Sequence, residues 1–158
     1  MTELCDIDAV ELRRLIGAKQ ISPVELLDSC LARIARVNPK LNAVTAMCVE
    51  RARAEARAAE AKVRRGDTLG LLEGLPLGVK DLNETEGLRT TWGSPIHRDY
   101  VPAKDERMVA ACRAAGAIVV GKTNVPEFGA GANTNNPVYG PTRNPFDPAR
   151  ICGGSSGG

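Results

Sequence analysis

The stretch Ala117-Ile118-Val119-Val120-Gly121 decides the fold class of this sequence. Its continuous apolar run predicts a strand buried on both faces, which is typical of parallel sheets. A second apolar stretch, Leu75-Pro76-Leu77-Gly78-Val79, lies upstream, and its early proline suits the beginning of a strand. Residues 104–115, between the two stretches, are predicted to form a helix. The inward face of that helix is predicted to consist of Met108, Val109 and Cys112. This strand–helix–strand pattern predicts an α/β fold.

Glycine and proline divide the chain near residue 66. Residues 1–65 contain one glycine and two prolines, whereas residues 66–158 contain fifteen glycines and eight prolines. We therefore predict a helical region over residues 1–65, followed by the α/β core.

Helix signals lie in the first region. One helix is predicted to begin near Asp6 or Asp8. Another begins at Ser22-Pro23-Val24-Glu25, where a capping serine precedes proline, and is predicted to end at Asn38-Pro39. Residues 48–65, rich in alanine and charge, predict a solvated surface helix, and residues 41–47 are a candidate strand.

The totals of the sequence exclude several classes of function. The length of 158 residues suits one domain, and the net charge of +2 argues against a nucleic-acid binder. The single histidine, His97, excludes a histidine-rich metal site and a two-histidine catalytic centre. No apolar run reaches the roughly 18 residues of a membrane span. Five cysteines without a Cys-x-x-Cys pair indicate reduced thiols, so we expect a cytoplasmic protein without metal or cofactor.

Two features suggest catalysis. Lys80 lies at the end of a predicted strand, and Ser155 and Ser156 lie within a run of glycines. Taken separately they are weak evidence for catalysis, because a strand-end lysine is usually solvated and a Gly/Ser run can be a linker. A phosphate-binding loop would need a lysine in the loop and a following helix, and neither is present. Taken together they suggest serine chemistry in which a neutral lysine replaces histidine as the base.

The sequence resembles the amidase signature family, in several blocks that occur in the family's order. The blocks are Gly74-Leu75-Pro76-Leu77-Gly78-Val79-Lys80-Asp81, Gly87-Leu88-Arg89-Thr90-Thr91-Trp92-Gly93-Ser94, Ala114-Ala115-Gly116-Ala117-Ile118-Val119-Val120-Gly121-Lys122-Thr123-Asn124, Pro126-Glu127-Phe128, Gly140-Pro141-Thr142-Arg143-Asn144-Pro145 and Gly153-Gly154-Ser155-Ser156-Gly157-Gly158. The resemblance implies helices around a mixed β-sheet, and a serine–cis-serine–lysine triad that acts on amide bonds.

The resemblance also implies roles for individual residues. Lys80 matches the family's base, and Ser155 matches the bridging serine, which follows a cis peptide bond. Ser156 would be a supporting hydroxyl. Asp81 would either orient the lysine loop or cap it. We further expect Gly153 and Gly154 to shape the serine loop, and Arg143 and Asn144 to brace the long loop over residues 122–158. Residues 126–128 are expected to pack near the site. His97 is expected to lie on the surface without a catalytic role.

The family's nucleophilic serine lies about two dozen residues beyond the position of Ser155, so residues 1–158 contain none. We therefore expect the N-terminal portion of an amidase domain with an incomplete sheet, inactive by itself. The intact family acts on small-molecule amides, and the resemblance implies a homodimer for a full-length form, with neither nucleic acid nor membrane as partner.

Two alternatives remain open. The first is the amidase subunit of a tRNA-dependent amidotransferase, which releases ammonia from glutamine for a partner subunit. Lys80-Asp81-Leu82 and Asn124-Val125-Pro126-Glu127-Phe128-Gly129 look more like free-standing amidases, since transferase subunits tend to carry asparagine after Lys-Asp and Met-Asp before Glu-Phe. The second is a non-catalytic remnant that serves as an interaction module.

Overall fold

A mixed three-stranded sheet organises the part of the chain that the structure describes. The structure is a computed structural model that describes residues 3–158. Strands β1 (Val44–Met47), β2 (Pro76–Lys80) and β3 (Ile118–Thr123) lie in the order β1-β3-β2. The central strand β3 runs parallel to β2 and antiparallel to β1. Five of its six residues are buried, as the apolar run predicts.

Within the described residues, four α-helices accompany the sheet: α1 (Ala9–Gly17), α2 (Pro23–Leu41), α3 (Val49–Arg65) and α4 (Arg107–Ala114). The predicted beginnings of the first two are confirmed. Asp8 accepts a hydrogen bond from the Glu11 amide at 2.9 Å. Ser22 and Glu25 form the reciprocal capping box that the sequence indicates, which satisfies amides that lack partners in the first helical turn.

Two predicted helix boundaries are wrong, the end of α2 and the beginning of α4. Helix α2 continues through Pro39 to Leu41, because a proline in the last turn removes only one hydrogen bond, and the helix ends where Asn42 adopts φ 55°. Helix α4 begins at Arg107 rather than near residue 104. The residues before it bind the loop after β2 instead, since the Glu106 amide donates to the Glu84 carbonyl at 3.1 Å.

Two burial predictions also need correction. Met108 is 50% exposed, whereas Val109 is fully buried, so the short helix α4 turns Met108 away from the sheet. Helix α3 is not only a solvated helix, because a stripe of small residues packs inward; that stripe consists of Ala52, Ala56, Ala59 and Val63. The candidate strand over residues 41–47, by contrast, is confirmed as β1, and its pairing with β3 joins the helical region to the α/β core.

Three apolar clusters hold these elements together. Leu12, Ile16, Leu26, Val63 and Leu75 join helices α1, α2 and α3. Leu27, Ala52, Ala56, Ile118 and Val120 pack α2 and α3 against one face of the sheet. Val79, Leu88, Val109 and Val119 cover its other face with α4 and the loop after β2. Burying a leucine or valine side chain contributes about 1.5–3 kcal/mol, so these clusters hold the strand ends in place.

Among the described residues, the five cysteines form no disulfide bond with one another. Over residues 3–158 we also find no helix with the length and apolarity that crossing a membrane requires.

Candidate active site

Lys80 and Ser155 meet at the end of strand β2. Lys80 is the last residue of that strand and is paired with Thr123 of β3. Its Nζ donates to Ser155 Oγ at 2.8 Å across 75 residues of chain. Both residues are half-buried, so the pair is partly shielded from solvent. This distance is within the range at which a proton passes directly between a base and a hydroxyl.

Asp81 fastens the loop that follows Lys80. The carboxylate is fully buried and accepts hydrogen bonds from the Thr91 amide at 3.1 Å and the Thr91 hydroxyl at 2.5 Å. Its own amide donates to the Thr123 carbonyl at 3.0 Å. Burial raises the pKa of Asp81, and the Thr91 donors partly offset the shift. These contacts brace the loop that follows Lys80.

The Gly-Ser loop presents Ser155 after a cis peptide bond between Gly154 and Ser155. Gly153 has φ 83°, a conformation that disfavours side chains, and its carbonyl accepts from the Thr134 amide at 2.9 Å. A Cβ on Gly154 would lie 2.9 Å from the Ala132 carbonyl oxygen, so only glycine fits there. Ser156, by contrast with the half-buried Ser155, is exposed to solvent.

A network of buried asparagine and threonine side chains joins the segments that lead to this loop. Asn124 is fully buried and donates to Thr142 Oγ1 at 2.9 Å, while it accepts from Asn136 Nδ2 at 2.7 Å. Thr142 Oγ1 in turn donates to the Asn42 carbonyl at 2.7 Å. Sequence reasoning assigned no role to this network, although the asparagine-rich segment after β3 was a usable signal. Its effect is to join β3, the end of α2 and the long loop.

Lys122 was also missed. It lies in β3 directly after the apolar run and is fully buried. Its Nζ donates to the Asn83 carbonyl and to Thr85 Oγ1, the latter at 3.0 Å. Burial lowers the pKa of Lys122 to about 8, and the Asp81 carboxylate works against that shift.

The remaining predicted residues contact other parts of the loops. Arg143 donates its amide to the Leu41 carbonyl at 2.9 Å, and the Asn144 amide donates to the Arg150 carbonyl at 3.0 Å, so both brace the loop. Glu127 accepts from Ser94 Oγ at 2.7 Å. His97 is half-buried rather than freely exposed, because its ring packs edge-on against Trp92 with centroids 4.6 Å apart.

One cluster within residues 3–158 has ligand types that suit a metal ion: Glu3, Cys5 and Asp6. Its two carboxylates already form ion pairs, because Arg33 contacts Glu3 at 2.7 Å and Asp6 at 2.8 Å. Hydrogen bonds from Arg36 and Arg33 lower the pKa of Glu3 to about 2. The cluster is therefore an ion-pair network between the N-terminal segment and α2.

Comparisons with known proteins agree on one family. The family model named Amidase matches residues 25–158. A glutamyl-tRNA(Gln) amidotransferase subunit of Anaeromyxobacter dehalogenans (strain 2CP-C) is 46% identical over 156 residues, which are 99% of this chain and 32% of the relative. A structure described as an unexpected vestigial protein complex that reveals the evolutionary origins of an s-triazine catabolic enzyme matches with a TM-score of 0.91 and 42% identity, over 96% of this chain and 33% of that one.

A third match is a bacterial aryl acylamidase of the amidase signature family, with a TM-score of 0.89 and 34% identity, over 96% of this chain and 32% of the aryl acylamidase. The chain thus spans about a third of the length of the relatives that it matches.

Proposed function

Because this chain belongs to the amidase family, we propose that it supplies the base and the bridging hydroxyl of an enzyme that hydrolyses carboxylic amides. The hydrogen bond from Lys80 Nζ to Ser155 Oγ, at 2.8 Å, carries the proposal. In the reaction, an amide and water give a carboxylate and ammonia or an amine.

The proposed mechanism passes one proton along the Lys80–Ser155 pair. With the direction of this hydrogen bond reversed, neutral Lys80 accepts the proton of Ser155, while Ser155 accepts the proton of a nucleophilic serine that forms the acyl-enzyme. The same relay returns the proton to the leaving nitrogen, and water then releases the acid. Within residues 3–158, the side chain that hydrogen-bonds Ser155 Oγ is Lys80, and we propose that the nucleophilic serine is not among these residues. We expect the 158-residue chain alone to show no amide turnover.

Asp81, Gly153 and Gly154 have supporting roles in this proposal. Asp81 binds Thr91 within the Lys80 loop, and its amide holds the start of that loop against β3. Gly154 lets the serine loop approach Ala132 closely, and Gly153 adopts a positive φ that favours glycine. Ser156 is exposed, and we propose a minor supporting role for its hydroxyl.

A chimera tests the proposal. Residues 1–158 would replace the matching third of the aryl acylamidase, and turnover of aryl and aliphatic amides would be measured. We expect turnover that falls by about 10³-fold or more in Lys80→Ala and in Ser155→Ala. Lys104→Ala, at an exposed lysine, is the matched control and should retain full turnover. An active chimera that tolerates Lys80→Ala would contradict the mechanism.

A second candidate is the amidase subunit of a tRNA-dependent amidotransferase. The 46% identical relative, itself a glutamyl-tRNA(Gln) amidotransferase subunit, favours it. Leu82, and Val125-Pro126 before Glu127-Phe128, favour the free-standing enzyme. A second chimera, built on that relative and tested for ammonia release from glutamine beside simple amides, separates the two.

The interaction-module alternative makes a different prediction. A stable module would elute as a monomer on size-exclusion chromatography and would show slow hydrogen exchange in residues 122–158. Aggregation or fast exchange there would favour the incomplete-enzyme interpretation, because an unfinished sheet leaves strand edges open.

A further inference from the structure

We propose that Lys122 is a positioning residue, which holds the turn after β2 so that Lys80 is presented to Ser155. The inference rests on the proposed function only for the role given to Lys80; the positioning itself is a matter of geometry.

Lys122 reaches the turn from the neighbouring strand. In the parallel pairing Lys122 lies opposite Val79, one residue before Lys80. Its ammonium donates to the Asn83 carbonyl and to the Thr85 hydroxyl, three and five residues beyond Lys80. The Thr85 hydroxyl also donates to the Asn83 carbonyl at 3.1 Å. One buried cation therefore ties together the whole first turn of the loop that begins at Lys80.

The charges around Lys122 belong to the same region. Asp81 and Glu84 come from the loop after β2, and Asp105 and Glu106 come from the segment before α4. Glu106 is itself bound by Asn83 Nδ2 at 2.5 Å. Lys122 thus holds the loop after β2 on β3, and Glu106 joins the segment before α4 to that loop through Asn83. The carboxylates offset part of the cost of burying the charge of Lys122.

A simple role as core filler does not explain this arrangement. A buried ammonium costs free energy that an apolar side chain of similar length avoids, so methionine would fill the space more favourably. Both hydrogen bonds that Lys122 donates go to the turn after Lys80. Val119, three residues earlier in β3, packs instead in the apolar cluster with Leu88 and Val109. These contacts distinguish a positioning role from a packing role.

The test measures the contact between Lys80 and Ser155 by NMR on the 158-residue chain with ¹³C-labelled lysine. The chain has six lysines, so the Lys80 ¹³Cε signal is assigned with Lys80→Arg. The change in that chemical shift caused by Ser155→Ala is then recorded in four backgrounds: unmodified, Lys122→Met, Thr85→Val and Val119→Ala. Val119→Ala is the matched control, since it weakens the same strand without touching the turn.

We expect the Ser155→Ala response of Lys80 to fall at least about twofold in Lys122→Met, to fall less in Thr85→Val, and to persist in Val119→Ala. A full response in Lys122→Met, or an equal loss in Val119→Ala, would overturn the proposal. If Lys122→Met does not fold, Thr85→Val decides: a reduced response supports positioning and a full response refutes it. None of these signals depends on turnover, so an inactive chimera would count against the proposed function and not against this inference.

Discussion

The buried Lys122 makes the stability of this protein depend on pH in a direction that can be worked out. Folding lowers the pKa of Lys122 from its ordinary value of 10.5 to about 8, mainly through burial. The native state therefore binds fewer protons than the unfolded state between these values, and stability rises with pH across that window. The gain is complete above about pH 10.5 and is lost as the pH falls through the window to 8. The difference between these two pKa values corresponds to roughly 3 kcal/mol of unfolding free energy.

The assay compares the chain with its Lys122→Met variant by urea unfolding, followed by the fluorescence of Trp92, the single tryptophan. Burial raises the pKa of Cys30 to about 11, which lowers stability as the pH rises from 9. Both proteins contain Cys30, so its contribution cancels in their difference. We expect the unmodified chain to gain roughly 3 kcal/mol relative to Lys122→Met between pH 8 and 10.5. A difference that stays flat or shrinks over that range would refute the reasoning.

Three further predictions concern the core, a helix cap and the serine loop. Leu27→Ala, at a fully buried position, should lower the free energy of unfolding by about 2–5 kcal/mol. Leu71→Ala, at an exposed position, should change it by less than about 0.5 kcal/mol. Equal effects of the two substitutions in urea titrations would contradict the packing argument. Ser22→Ala removes the cap on the Val24 amide and should cost about 1 kcal/mol in the same titration, and a neutral result would argue against the cap. Gly157→Ala would drive a Cβ into the Thr134 hydroxyl and displace the loop, so the Lys80 ¹³Cε shift should move toward its value in Ser155→Ala; an unchanged shift would count against it.

Local sequence signals predicted most of the fold. The run from Ile118 to Val120, the capping box at Ser22 and the cap at Asp8 act within a few residues, so they can be recognised without knowledge of the fold. The predictions failed where distant contacts decide. Met108 fitted the predicted inward face of α4, yet its side chain is exposed. The helix also begins at Arg107, because the Glu106 amide donates to the Glu84 carbonyl.

The candidate site divides in the same way. The resemblance of the motifs around Lys80 and Ser155 to one family predicted both residues, and their hydrogen bond is what the structure adds. Lys122 lies inside one of the motifs and carried no separate signal, whereas the asparagine-rich segment after β3 was a signal for Asn124. A lysine that follows an apolar strand normally extends to solvent, and only the closure of the loop over β3 turns it into a buried donor.

By itself the sequence determined the elements and the chemistry available: a buried central strand, capped helices, a lysine at a strand end and a serine among glycines. These properties depend on residue type and on neighbours a few positions away. The tertiary structure alone decided which groups meet, because bringing Lys80 to Ser155 requires β-pairing between β2 and β3 and a loop closed by Asn124 and Thr142. Such contacts depend on the packing of segments far apart in the chain, which no local pattern records.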